Sequence, residues 1–543
     1  MQINLEQIIQ ISFQLYKNNQ YTKALALLDK AIGVSQSSAD YWLIVALCSQ
    51  KEKMFQKSGF AFKKALHLAN NNSEIFGSYA GLLTELRFFK QAENYYKKAI
   101  AFAPDNVIHK HNLGLLYFRQ NKLNDAISQF STVLKNKHTF RRSVEFLIKC
   151  LVMRGNHDDI ERALDILAEN LTFDENDSVW LRMYSEILWL KKNMDWDHLY
   201  VQAIKDDKFS PKLLFDYINM LFQSEQVDKA ERIFYEQFHN FNGYMPEEFI
   251  YLESMLAYQR GNADKAYDVL NAIKKEAQLQ VSHIRLKSRI FLALRRFNEA
   301  RELCEYLVSL PSVCQGDYAL LASCYKFCGD LEKYRNLYDF DKLVKVIPIV
   351  LPDKFIDINL FNRALEEELN AKHQNFNHPL EQSLRHGSQT LGNLFNCDSD
   401  LINTLKQSLV LAIWSYLKHL DLQDAHPFNR NNVDEIDFSG AWSVKLSKHG
   451  FHKNHFHNDG WISGCYYVNV PTAIDSDGQG WIKFGQMESE ETIDDIPDFL
   501  VKPVAGCIVL FPSYMWHGTN VFNDSSHRIT VAFDVVPKRS VGL

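Results

Sequence analysis

The 543-residue sequence predicts a two-part fold: an all-α solenoid of paired helices over residues 1–340, then a double-stranded β-helix (jelly roll) with flanking helices over 341–543. Three observations predict it. Small residues recur every 34 positions in the first part. Four of the thirteen prolines precede residue 340 and nine follow it, so only the first part is uniformly helix-friendly. From Ala441 onward, short apolar or alternating segments are separated by Gly, Asp, Asn and Pro, the texture of strands and turns.

The repeat is clean over about residues 5–137. Ala24, Ser58, Ala92 and Ala126 stand 34 apart, and a companion column seven residues on reads Ala31, Ala65, Ala99 and Val133. Small residues at these positions let two antiparallel helices approach closely, while large ones fill the gap to the next pair. Between about 138 and 220 helical patterning continues but the register drifts. The period returns with Ala230, Ala266 and Ala300, and Tyr334 takes the small-residue place in a terminal copy. Residues 138–340 therefore read as weaker repeats. The copy Phe76, Tyr79, Ala80, Leu83, Ala92, Tyr96, Ala99, Pro104 resembles the tetratricopeptide repeat at its usual period. That resemblance implies a concave groove for a protein or peptide partner; a scaffold or assembly element is the alternative.

Composition narrows the class. A net charge of −6 without a basic stripe argues against nucleic acid. No run of eighteen apolar residues predicts a membrane span, and the first twenty residues lack the apolar core of a signal peptide. Nine scattered cysteines read as reduced thiols, so the expected compartment is the cytoplasm. Cys324 and Cys328 lack a second pair, and no structural zinc site is expected.

In the second part, Val344–Pro352 reads as a strand, Asn359–His373 and Asp400–Leu420 as helices. AWSVKLS, WISGCYYVNV, GWIKFG, GCIVLFP and RITVAFDVV follow as strands. His455, His457 and Asp459 alternate along one extended segment, so their side chains start on one face. With His517 further on, they offer a facial ligand set for a non-haem iron that leaves coordination positions open. Two triads are possible. One uses His457, Asp459 and His517; the other uses His455, His457 and His517. Asn458-Asp459-Gly460 is a strong turn signal, which favours the three-histidine set and keeps Asp459 as the contender. His452 falls on the other face if the strand is regular. Arg528 and Thr530 share one face of a later strand, where a buried guanidinium needs an anion. A dicarboxylate co-substrate supplies one; a structural pair with Asp534 or Asp524 is the alternative. Arg385 and Gln389, four apart on a loop or helix, are candidate substrate contacts. No catalytic side chain beyond the metal centre is expected.

These segments resemble a bacterial family of 2-oxoglutarate/Fe(II)-dependent oxygenases often fused to tetratricopeptide repeats. The resemblance covers roughly residues 345–540 and rests on Gln382–Thr390, Gly450-Phe451-His452, His455-x-His457, Gly460–Ser463, Gly480–Phe484 and Phe511–Gly518. It implies Fe(II) held by the histidine cluster and His517, with Arg528 in a salt bridge to 2-oxoglutarate. The implied activity is a dioxygenase that hydroxylates a C–H bond as 2-oxoglutarate becomes succinate and carbon dioxide. The family's H-x-H pattern puts the Asp459 triad in doubt. With the repeats recruiting the target, the expected substrate is a protein or peptide. The alternatives are a small-molecule oxygenase with an assembly-only repeat domain, or a non-catalytic scaffold with an inactive barrel.

Overall fold

The computed structural model describes residues 5–538 apart from 32–36, 137–139, 172–177, 207–209, 240–246, 274–279, 353–354, 356, 374–378, 381, 423–424, 430–432, 477 and 489–494. They fall into two compact units, residues 1–166 and 167–538.

Twenty helices, α1 (Leu5–Lys17) to α20 (Leu331–Leu337), run in ten pairs along the described chain. A backbone signature marks every pair. Asn19, Lys53, Arg87, Asn121, Gly155, Lys192, Glu225, Gly261, Arg295 and Gly329 all have φ between 52° and 74°. Each closes the turn between the two helices of its pair in the left-handed conformation common after a helix end. Their spacing stays between 33 and 37 residues throughout, so the repeat does not lapse where the sequence pattern does. The small-residue column sits five positions after each: Ala24, Ser58, Ala92, Ala126, Ala230, Ala266 and Ala300 are all fully buried. The drifting stretch holds two further copies in which that position is Ile160 and Asp197. Neither is small, which is why the period was lost to view. Asp197 is tolerated there because Tyr217 donates to its carboxylate at 2.7 Å and Lys229 pairs with it.

The short helix α21 (Phe340–Leu343) ends the helical run, and strands begin at β1 (Lys345–Pro348). The helices α22 (Ile358–Lys372) and α23 (Asp400–Lys418) match the two expected ones to within two residues. Strands β2 (Leu384–Gln389), β3 (Glu435–His452), β4 (Ile462–Asn469), β5 (Ile482–Phe484), β6 (Phe499–Val501), β7 (Cys507–Pro512), β8 (His517–Thr519) and β9 (Arg528–Lys538) complete the part. All pairings are antiparallel. They make a six-stranded sheet in the order β1-β7-β4-β9-β3-β2 and a three-stranded sheet β6-β5-β8. β9 lies inside the sheet and is buried on both faces: Ile529, Val531, Phe533 and Val535 enter the core from one, and Arg528, Thr530 and Asp534 are buried on the other. That core is continuous with the last repeats: Phe291, Cys304, Leu320 and Tyr338 belong to the same apolar cluster as Ile462, Phe511, Trp516 and Val531.

Candidate metal centre

Three histidines converge. The ligand atoms of His455, His457 and His517 all lie within 4.8 Å of one another. His455 and His517 exchange backbone hydrogen bonds of 2.8 and 2.9 Å, and the His457 amide donates to Ser513 O at 2.9 Å. The H-x-H segment is thus stitched to the β7–β8 turn, although it makes only one bridge of regular ladder.

The outward nitrogen of each ring is spoken for. Nδ1 of His455 lies 2.8 Å from Lys453 O, and Nδ1 of His517 lies 2.9 Å from Met515 O. A carbonyl only accepts, so both Nδ1 atoms carry the proton. Nδ1 of His457 lies 2.6 Å from Asp534 Oδ1, which also accepts from Ser463 at 2.6 Å. This pattern presents the three Nε2 atoms as inward lone pairs, the tautomer that metal-binding imidazoles adopt. Nε2 of His455 and Nε2 of His457 stand 3.1 Å apart. Two cis ligands at about 2.1 Å from one metal would be roughly 3.0 Å apart.

Electrostatics agree with this division. Burial, then the neighbouring His457, pushes His455 down to about 3. Burial and the other histidines push His517 well below the usual imidazole range. His457 goes the other way: burial lowers it, but the Asp534 carboxylate more than compensates.

Asp459 does not join the group. It is exposed in the Asn458–Gly460 bend, while the chain at Gly460 passes so close to Ser513 and Asp534 that a Cβ would collide with the Ser513 hydroxyl. The turn carries the carboxylate away from the histidines. His452 departs from expectation in the opposite sense. The ladder stops after His452, so its ring does not take the far face. It stacks 6.0 Å from His455 and hydrogen-bonds Ser383 Oγ at 3.0 Å.

Next to the histidines is a cavity of about 60 Å³ lined by Arg528, Thr530, Tyr467 and His452 among others. Arg528 is 2% exposed. Its Nη1 donates to Gly480 O at 2.8 Å, while among the described residues its Nε and the buried Tyr467 hydroxyl find no hydrogen-bond partner. Neither acid proposed as a structural partner takes it. Asp534 serves His457, and Asp524 accepts from Thr472 and Ala473. Two buried, unsatisfied donors, one of them on a guanidinium with no carboxylate partner among the described residues, are what an incoming carboxylate would satisfy.

On the other side His455 and His457 open onto a cleft of about 1040 Å³. One wall is barrel rim, including Arg385, Trp442 and Lys453; the other is repeat, including Phe222, Glu225 and Gln259. Glu225 bridges the walls: Arg385 Nη2 lies 2.6 Å from its Oε1, and Lys453 pairs with the same atom. Partial burial raises its carboxyl, but the two cations hold it down to about 2. Gln389 lines neither space. Both residues lie on strand β2 rather than on a loop or helix, and a register shift after Arg385, with His386 at φ 54°, breaks the phase between them. Sequence reading gives two further site residues other roles and misses a third. Asp534, in phase with Arg528 and Thr530 on β9, reads there only as a partner for Arg528, and Tyr467 only as one of several aromatics that could shape the pocket; Glu225 carries no signal.

Comparison with known proteins follows the same division. Residues 440–534 match the family model described as putative 2OG-Fe(II) oxygenase, and residues 82–137 match a tetratricopeptide repeat model. Solved structures similar to the chain include PilF of Pseudomonas aeruginosa (18% identity, 38% of this chain and 94% of that one, TM-score 0.32). They also include a tetratricopeptide repeat protein of Parabacteroides merdae (16% identity, 53% and 98%, TM-score 0.31). A third is YrrB, a tetratricopeptide protein with an unusual peptide-binding site (20% identity, 31% and 88%, TM-score 0.27). At these scores the structural likenesses carry no argument. No curated protein matches the chain.

Proposed function

We propose that this chain is a 2-oxoglutarate/Fe(II)-dependent dioxygenase whose substrate is a protein or peptide. The observation that carries the reading is the orientation of the three imidazoles, each fixed through Nδ1 so that its Nε2 faces a common point. On this reading His455, His457 and His517 hold Fe(II), and the two sheets form the jelly roll expected around such a site. Arg528 and the Tyr467 hydroxyl would hold a carboxylate of 2-oxoglutarate, with Thr530 lining the same cavity. Bound Fe(II) and 2-oxoglutarate supply oxidative decarboxylation coupled to hydroxylation of a C–H bond. The protein's own part is to orient and to keep water out. Buried Arg528 and Tyr467 fix the co-substrate, Asp534 keeps His457 in its donor tautomer, and Trp442 borders both the cavity and the cleft.

The cleft favours a polypeptide over a small metabolite. Its volume of about 1040 Å³ is at the top of the roughly 300–1,000 Å³ range of small-ligand pockets, and repeat helices form one wall. Anaerobic Fe(II) with 2-oxoglutarate should give a visible charge-transfer band that His517→Ala abolishes. Arg528→Ala should weaken 2-oxoglutarate binding at least tenfold while metal binding holds. If the wild-type chain shows neither the band nor succinate formation, the oxygenase reading fails. If succinate forms but no peptide gains the mass of one oxygen atom while a small metabolite does, the polypeptide reading fails.

A further inference from the structure

Side chains that face away from the iron-capable histidines alternate with them. Phe456 separates His455 from His457, and Trp516 precedes His517. The two outward rings meet edge to face at 4.8 Å. Both rest on α19 (Gln315–Cys328), the first helix of the last repeat pair. Trp516 Nε1 donates to Ala319 O at 3.1 Å, and the Trp516 amide donates to the buried Tyr338 hydroxyl at 2.9 Å. One residue beyond His457, Asn458 Oδ1 accepts from the Gly316 amide at 3.1 Å, using a donor that the first turn of a helix leaves free.

Gly316 permits this approach by having no side chain. A Cβ there would stand 2.6 and 2.8 Å from Phe456 ring carbons and 3.1 Å from Asn458 Oδ1. Phe456 would have to shift to make room, and Trp516 stands edge to face against one side of it.

We propose that the first turn of α19 is a built part of the metal centre. Gly316 and Ala319 are positioning residues that set the spacing between the His455–His457 segment and β8 by seating Phe456, Asn458 and Trp516. The inference rests on the reading of the three histidines as metal ligands. Its physical ground is that the H-x-H segment has little ladder of its own. It is pinned on the ligand side by the His455–His517 bridge and the His457–Ser513 bond, and on the other side by this helix. Ligand geometry depends on such outer support. The last repeat is then a component of the catalytic body, distinct from the earlier repeats that wall the cleft through Phe222, Glu225 and Gln259.

The test uses the full chain with Co(II) as spectroscopic probe, reading its affinity from the ligand-field bands and the unfolding midpoint in parallel. Gly316→Ala should weaken Co(II) binding roughly 10–100-fold, the usual effect of disturbing groups that orient ligands. Adding Phe456→Leu removes the ring atoms that the new methyl meets and should restore affinity to within about threefold of wild type. Trp516→Phe, which removes the bond to Ala319 O together with part of the ring packed against Phe456, should weaken binding without that rescue and stands in if Gly316→Ala does not fold. A folded Gly316→Ala or Trp516→Phe chain that binds Co(II) like wild type overturns the proposal, as does a double variant no better than Gly316→Ala. A wild-type chain that binds no Co(II) overturns the ligand assignment first.

Discussion

Asp534 Oδ1 lies 2.6 Å from Nδ1 of His457, in a pocket where the carboxylate also accepts from Ser463. The pair does two things at once: it selects the His457 tautomer and makes its free nitrogen a stronger donor. Asp534→Asn keeps the shape and removes the charge. Metal affinity should fall roughly tenfold or more, with 2-oxoglutarate binding affected only through the metal. Equilibrium titration of the apoprotein with Co(II) measures it. Unchanged affinity would show that the ring is held without the charge, by neighbours such as Ser463.

Glu225 holds two cations at the cleft wall, and its side chain is half exposed, so its worth to stability is small, on the order of 1 kcal/mol or less. Its depressed carboxyl fixes the sign of the pH effect. The contribution is present above the unfolded value of about 4.3 and is lost as pH falls through the folded value of about 2. Glu225→Gln leaves Arg385 and Lys453 unneutralised. Acidic peptides should then bind up to roughly fivefold tighter and basic ones weaker, with kcat and 2-oxoglutarate affinity unchanged. Peptide titrations at two ionic strengths decide it; equal shifts for both peptide classes would remove charge as the cause.

His111 gives the repeat unit an acid limit. The ring is 5% exposed and its Nδ1 lies 2.8 Å from Ser143 Oγ. Burial, then Arg142, pushes it down to about 4. In the unfolded chain it titrates near 6.5. Between those values the unfolded state binds a proton that the folded state refuses, so stability falls as pH drops through that window, by about 3 kcal/mol at most. Below about 4 both states are protonated and the loss levels off. Denaturant melts across this range should show the slope, and His111→Gln should flatten it. A His111→Gln chain with the parent's full slope would place the effect elsewhere.

Much of this was legible in the chain. The repeat was readable wherever the close-contact position kept a small residue, and it vanished at Ile160 and Asp197, where the backbone turn persisted without that marker. The site histidines and Arg528 stood out because their types and order limit the chemistry, and the turn signal at Asn458–Gly460 falls where the chain leaves Asp459 exposed. Assumptions of regularity misled. His452 and Gln389 were placed by strict alternation or helical spacing, and both sit beside a break in the ladder. Contacts across long separations, such as Glu225 with Arg385 or Gly316 with Asn458, leave no local trace, because nothing in either segment's own pattern requires the other.

The apolar cluster shared by the last repeats and the strands limits how freely such a chain could be reassembled over evolution. Phe291, Cys304 and Leu320 are buried together with Phe511 and Trp516, so the change from helix to strand near residue 344 is no seam in the interior. Recombination there would strip one side of a common core and leave both products with bare hydrophobic faces. The last helix pairs and the oxygenase-like strands are therefore bound to be inherited as one piece. Copies nearer the start of the chain, outside that cluster, remain open to gain, loss and exchange.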